Sequence, residues 1–77
     1  MSKQVIVYTQ PVCRYCGLVK TFLDGEGVQY EVRDITEKEE YKEQLLATGY
    51  QGTPVTIIGD TAVYGFNLDA IKKALVE

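Results

Sequence analysis

Early in the chain a strand gives way to a helix with almost nothing between them. Gln4-Val5-Ile6-Val7-Tyr8 is dense in β-branched and aromatic residues, the composition of a buried strand, and it ends in the turn residues Thr9-Gln10-Pro11. From Cys13 to Asp24 the apolar residues Cys16, Val19, Phe22 and Leu23 recur at helical spacing, and Gly25 with Gly27 supplies a stop. Val28, Tyr30 and Val32 then alternate with Gln29, Glu31 and Arg33 as a second strand. Strand, helix and strand in that order form a right-handed βαβ unit with parallel strands, which sets the class as α/β.

The rest of the chain extends this unit. Thr36 and Glu39 are spaced as a capping box, and they open a predicted helix through Tyr41, Leu45 and Leu46 to a Gly49 C-cap. Val55-Thr56-Ile57-Ile58, the turn residues Gly59-Asp60, and Thr61-Ala62-Val63-Tyr64 read as an antiparallel hairpin. Asn67 is a good N-cap for a last helix, with Asp69 in its first turn and Ile71, Ala74 and Leu75 as its apolar stripe. The expected order is βαβαββα in a single domain over residues 1–77, a compact α/β sandwich with no linker and no repeat.

At 77 residues a single core is only just large enough to hold a fold, so there is room for little besides one site. The apolar share of 45% and charged share of 25% are ordinary for a globular domain. No apolar run approaches the roughly 20 residues that a bilayer span needs, and the N-terminus lacks a signal-peptide core, which places the expected chain in the cytoplasm without a membrane partner. A formal charge of −3 with scattered Lys and Arg offers phosphates no basic field, so nucleic acid is not an expected partner. Histidine is absent, which removes the usual general base and the commonest metal ligand.

Chemistry therefore falls to Cys13 and Cys16. In disulfide exchange the attacking species is a thiolate, which needs an accessible sulfur and an environment that favours the anion. A helix start supplies both, through unpaired N–H groups and the positive end of the macrodipole, and Cys16 at i+3 lies on the same face one turn on. Attack by Cys13 as nucleophile would give a mixed disulfide that Cys16 resolves. Arg14 and Lys20 could add positive potential, although solvated surface charge is the plainer reading of both. The competing readings of the pair are half of a metal site and two ordinary buried cysteines. A tetrahedral zinc centre takes four Cys or His ligands, so metal would have to be shared between chains, and none is expected.

Thr53-Pro54 stands at the start of a predicted strand. A trans proline there would be merely structural, but beside a redox cysteine the cis form is expected, presenting the Thr53 backbone to an extended substrate.

Together these residues resemble the glutaredoxin family of the thioredoxin fold. The resemblance covers nearly the whole chain: Val5 to Tyr8, Thr9-Gln10-Pro11-Val12-Cys13-Arg14-Tyr15-Cys16, Thr53-Pro54-Val55, and Tyr64-Gly65-Phe66-Asn67. It implies a four-stranded mixed sheet flanked by helices, Cys13 as nucleophile, Cys16 as resolving thiol and Pro54 as the cis-proline. Tyr15, Thr53, Pro54, Gly65, Phe66 and Asn67 become the expected substrate or glutathione contacts. The nearest structural explanations are that Gly65 serves a backbone need, Phe66 the core and Asn67 a helix cap.

Within the family the sequence points two ways. Tyr15 is similar to the dithiol glutaredoxins, in which the ring lies beside bound glutathione. Tyr64-Gly65-Phe66-Asn67 looks instead like the Ser-Gly-Phe segment of NrdH-redoxins, which take electrons from thioredoxin reductase and pass them to ribonucleotide reductase. Glutaredoxins typically carry a basic residue where this chain has Gln10, a Thr where it has Gly52, and Gly-Gly then Asp where it has Tyr64-Gly65 then Phe66-Asn67. The charged clamp for glutathione is largely missing, while Arg14-Tyr15 departs from the NrdH pair ending in Gln. The expected function is reduction of protein disulfides by a monomer with no bound cofactor, re-reduced by thioredoxin reductase or by glutathione as co-substrate. An iron-sulfur or metal carrier bridged between two chains, and a redox-inactive adaptor domain, are the alternatives of other classes.

Overall fold

In the computed structural model, which describes residues 4–76, the chain forms β1 (Val5–Thr9), α1 (Arg14–Gly25), β2 (Glu31–Asp34), α2 (Glu39–Ala47), β3 (Val55–Ile58), β4 (Thr61–Tyr64) and α3 (Leu68–Val76). The termini of the expected domain, residues 1–3 and 77, lie outside the described residues. The four strands form one sheet in the order β2-β1-β3-β4. β2 runs parallel to β1, β3 runs antiparallel to β1, and β4 returns antiparallel to β3. This is the expected βαβαββα order and mixed sheet of a thioredoxin-like fold.

Alternation along the central strands separates two apolar faces. Val5, Val7, Ile58 and Val63 point to one side, where Val19 and Leu23 of α1 and Ile71 and Ala74 of α3 cover them. Tyr8 and Val55 point to the other, covered by Leu45 of α2, with Ile6, Ile35, Ile57 and Ala62 packed around. The first layer is thick and the second thin, since Leu45 is the buried residue of α2.

A polar hub supplements Leu45. Arg33 Nη1 donates to Gln44 Oε1 at 2.8 Å and to the Tyr8 hydroxyl at 3.3 Å. Its Nε pairs with Glu31, and its guanidinium lies over the rings of Tyr8 and Tyr41, 5.9 and 5.6 Å from their centroids. The hydrogen bond to Glu31, then that to Tyr8, raises the Arg33 pKa against the opposing effect of burial. One cation thus ties β2, β1 and α2 together.

Two elements differ from the sequence reading. The second strand is Glu31–Asp34, later than the alternation from Val28 places it. Val28 donates its N–H to Leu23 O at 3.1 Å, which closes the end of α1, and Val28 and Tyr30 pack onto the α1/α3 core from the connection. Their alternation is a packing pattern of a loop, whereas Val32 within the edge strand is 45% exposed. The capping box also fails. Thr36 donates both N–H and hydroxyl to Asp34 Oδ1, at 2.8 and 2.6 Å, so its side chain is held in a turn two residues back. Lys38 is the N-cap of α2 and makes no side-chain cap, leaving Glu39 and Glu40 to complement the helix dipole.

The hairpin turn, the Asn67 cap and the stop after α2 follow the sequence. Asn67 Oδ1 accepts the Ala70 N–H at 3.2 Å, and Gly49, beyond the Thr48 C-cap, takes φ +95°.

Candidate active site

Register brings the chemistry to one end of the sheet. Tyr8 pairs with Val55, and Val55 with Tyr64, so the exit of β1, the entry of β3 and the exit of β4 lie side by side. The loop to Cys13, the Thr53-Pro54 peptide and the Gly65-Phe66 turn therefore meet there.

Cys13 is the N-cap of α1, in extended backbone at φ −149° and ψ 104°, rather than in the first turn. It is joined to Cys16 in a disulfide across a Cα–Cα separation of 5.4 Å. Cys13 Sγ accepts the Cys16 N–H at 3.2 Å, the place a cap side chain takes when it satisfies an orphan amide at a helix start. Cys16 is 3% exposed, while Cys13 is only partly covered and follows the open Val12. The pair is asymmetric, with one cysteine partly exposed and the other buried. Arg14 is exposed, and Lys20 exerts its charge on Asp34. The Thr36 hydroxyl and N–H are the larger causes that hold the Asp34 carboxyl below the usual carboxylate range.

Across from the cysteines the Thr53-Pro54 bond is cis, as expected. Pro54 O accepts the Gly65 N–H at 2.9 Å, which fastens the β4–α3 turn to the start of β3, and Gly65 holds φ +75°, a conformation that glycine takes without strain. Tyr15 in the first turn of α1 stacks on Phe66, with centroids 6.3 Å apart and planes at 18°. That contact bridges the cysteine helix to the proline side. Between them lies a groove of about 360 Å³, lined by Tyr15, Thr53, Pro54, Tyr64, Gly65 and Phe66.

Five of the six contact residues expected from sequence line this groove. Asn67 does not, and its amide oxygen is engaged in capping α3. Tyr64 was not expected there. Its ring stacks on Tyr50, centroids 5.0 Å apart at 13°, and both rings are open to solvent. The signal was present in the hairpin: with Val63 turned inward, alternation puts Tyr64 on the opposite face, beside Val55. None of the six lining side chains is charged. Among the described residues no group of three or more His, Cys, Asp and Glu could hold a metal ion.

Comparison with known proteins agrees with this geometry. The glutaredoxin family model matches residues 5–63. The glutaredoxin-like protein NrdH of Escherichia coli is 30% identical over 70 residues, covering 91% of this chain and 86% of that protein. The Gene 56 protein of Mycobacterium phage D29 is 45% identical over 42 residues, and that alignment spans 54% of this chain and 47% of the phage protein. Among solved structures, the thioredoxin-like protein BC3987 superposes with a TM-score of 0.89 at 33% identity, covering 94% of this chain and 100% of that one. NrdH-redoxin from Escherichia coli, described as a glutaredoxin-like protein with a thioredoxin-like activity profile, gives 0.84 at 30% identity, covering 91% and 92%. The family match runs through the strand, turn and helix that carry Cys13 and Cys16, and the chain therefore belongs to the glutaredoxin family and is a thiol-disulfide oxidoreductase built around that cysteine pair.

Proposed function

We propose that this oxidoreductase reduces protein disulfides in the cytoplasm, draws its electrons from a flavin-dependent thioredoxin reductase rather than from glutathione, and serves ribonucleotide reductase as electron donor. The carrying observation is the lining of the groove beside the cysteines: three aromatic rings, a threonine, a proline and a glycine, with no charged side chain. Glutathione is an anionic peptide at neutral pH, and recognition of its carboxylates calls for charged or strongly donating groups. Gln10, Gly52 and Phe66-Asn67 occupy the positions where glutaredoxins typically carry theirs. An uncharged aromatic groove suits a protein surface better.

Cys13 is the nucleophile in this reading, because it is the accessible sulfur and sits where the Cys16 N–H and the helix start favour an anion. Its thiolate attacks one sulfur of the substrate disulfide. That S–S bond breaks, a bond to Cys13 forms, and the other substrate sulfur leaves as a thiolate and takes a proton. Cys16 then loses its proton and attacks Cys13 Sγ, breaking the mixed disulfide, releasing the second substrate thiolate and closing the Cys13–Cys16 bond. Two electrons have passed to the substrate, and the reductase restores them from NADPH. Burial of Cys16 suits the second step, since it can meet only a disulfide already formed on Cys13.

NADPH-coupled disulfide reduction measured in parallel with thioredoxin reductase and with glutathione plus its reductase tests the proposal. The thioredoxin reductase couple should be the faster, and a faster glutathione couple would overturn it. Cys16→Ser should accumulate a mixed disulfide on Cys13 while Cys13→Ser abolishes turnover, whereas equal residual activity in the two would refute the assigned roles.

A further inference from the structure

Gly52 and Tyr64 stand twelve positions apart in sequence, yet they are fitted to one another. A Cβ placed on Gly52 would lie 3.1 Å from the Tyr64 hydroxyl and 3.7 Å from the nearest ring carbon, tighter than ordinary contact. Gly52 is not among the glycines with positive φ, so its backbone makes no demand for glycine. What the missing side chain does is let the Tyr64 ring lie down over the chain just before Thr53-Pro54, where it stacks on Tyr50. Tyr64 and Tyr50 remain 50% and 37% exposed, so this pair covers no core.

The pair is continuous with the reaction site. Tyr64 is a wall of the groove that Tyr15 and Phe66 close from the side of α1. A disulfide attacked at Cys13 holds its own flanking chain near the start of α1, and the groove that Tyr15 of that helix lines is a concave surface placed to receive it. Resting on the protein-disulfide reading above, we infer that Tyr64, held flat by Gly52 and backed by Tyr50, is a specificity-determining residue that selects substrate segments with an aromatic side chain next to the reacting cysteine. An exposed ring pairs favourably with another aromatic side chain, and none of the residues lining the groove carries a charge that would favour an ionic side chain instead. The occupant is an extended disulfide-bearing protein segment, with its aromatic side chain laid against Tyr64.

The experiment uses reduced protein and a set of peptides, each with one intramolecular disulfide, differing only in the residue beside the first cysteine: Tyr, Leu, Ala or Asp. The readout is kcat/KM for each peptide, taken as a ratio to the Ala peptide. The wild type should favour Tyr by roughly 3- to 10-fold, the worth of one aromatic pair. Tyr64→Ser should bring that ratio to about one. Gly52→Ala should do the same by tilting the Tyr64 ring, with far-UV circular dichroism unchanged, and should add nothing when combined with Tyr64→Ser. A flat wild-type profile, a preference that survives Tyr64→Ser, or a Gly52→Ala effect that persists without Tyr64 overturns the inference. Faster reduction of a glutathione mixed disulfide than of every peptide would instead overturn the protein-disulfide reading, so the two failures are distinct.

Discussion

Leu45→Ala should loosen one helix and leave the rest of the molecule standing. Leu45 is 1% exposed and is the buried residue of α2, packed against Tyr8 and Val55. Leucine-to-alanine changes in cores cost about 2–5 kcal/mol, and the position within that range depends on how far the surroundings can close the gap. Here the rim residues Ile6, Ile35, Ile57 and Ala62 are all partly exposed, so the site can collapse, and the cost should fall near 2–3 kcal/mol. Leu23 is the natural control, fully buried in a cluster enclosed by both α1 and α3, and its alanine variant should cost about 4–5 kcal/mol. For a domain of this size each kcal/mol moves Tm by about 4–8 °C, which separates the two variants clearly. Leu46→Ala, at a site 48% exposed, should lie within about 0.5 kcal/mol of wild type. Urea midpoints would give the energies, and amide exchange would locate the change: protection should fall in α2 and survive in β1 and β3. A Leu45→Ala cost equal to that of Leu23→Ala, or protection lost evenly across the sheet, would refute the picture of a thin, separately anchored second layer.

Three further outcomes follow from the same geometry. Thr56 is wholly buried and its hydroxyl has no hydrogen-bond partner among the described residues, so Thr56→Val should stabilise the fold by about 1 kcal/mol in a denaturation experiment, and a loss of stability would show that the hydroxyl is satisfied. Arg33→Lys keeps the charge but not the fork that reaches Gln44, Tyr8 and Glu31, and should cost about 1 kcal/mol; coupling to Gln44→Ala in a double-mutant cycle checks it, and strict additivity would count against the hub. Asp34 has a carboxyl pKa lowered by the Thr36 hydroxyl and N–H, so its contribution is present above the ordinary carboxylate pKa of about 4 and is lost as pH falls through the lower folded value. Urea midpoints from pH 7 to 2 should therefore drop more steeply for wild type than for Asp34→Asn, and parallel curves would contradict the assignment.

What could be read from the sequence depended on whether a signal was local. β1 is buried on both faces and reads as an unbroken apolar run; the hairpin announces itself through Gly59-Asp60; Asn67 caps the helix that it precedes. Cys13 and Cys16 were legible for the same reason, since four consecutive residues and a helix start contain the whole of their geometry. Errors came where one local pattern served a different purpose. Val28 and Tyr30 alternate because they cover the α1/α3 core on the way to an edge strand, and the Thr36–Glu39 spacing matched a cap while Asp34, two residues earlier, held the Thr36 side chain.

The groove shows the limit more sharply. Five of its lining residues were expected as contacts, whereas Tyr64, although it opens the quoted Tyr64-Gly65-Phe66-Asn67 segment, was not. Gly52 in isolation says only that a side chain is absent, and it carries no positive φ that would supply a backbone reason. Tyr64 in isolation says only that a strand ends on an aromatic residue. Their meaning lies in a fit that exists once β4 has returned along β3, the Tyr64 hydroxyl lying 3.1 Å from where a Cβ on Gly52 would stand, and Tyr50 joins them only because α2 delivers the chain to that end of the sheet. The reactive pair is thus set by adjacent residues and its surroundings by distant ones. On the inference drawn for Tyr64, relatives that share the cysteines would differ in the substrates they accept by exchanging Gly52 and Tyr64, two residues outside the cysteine motif.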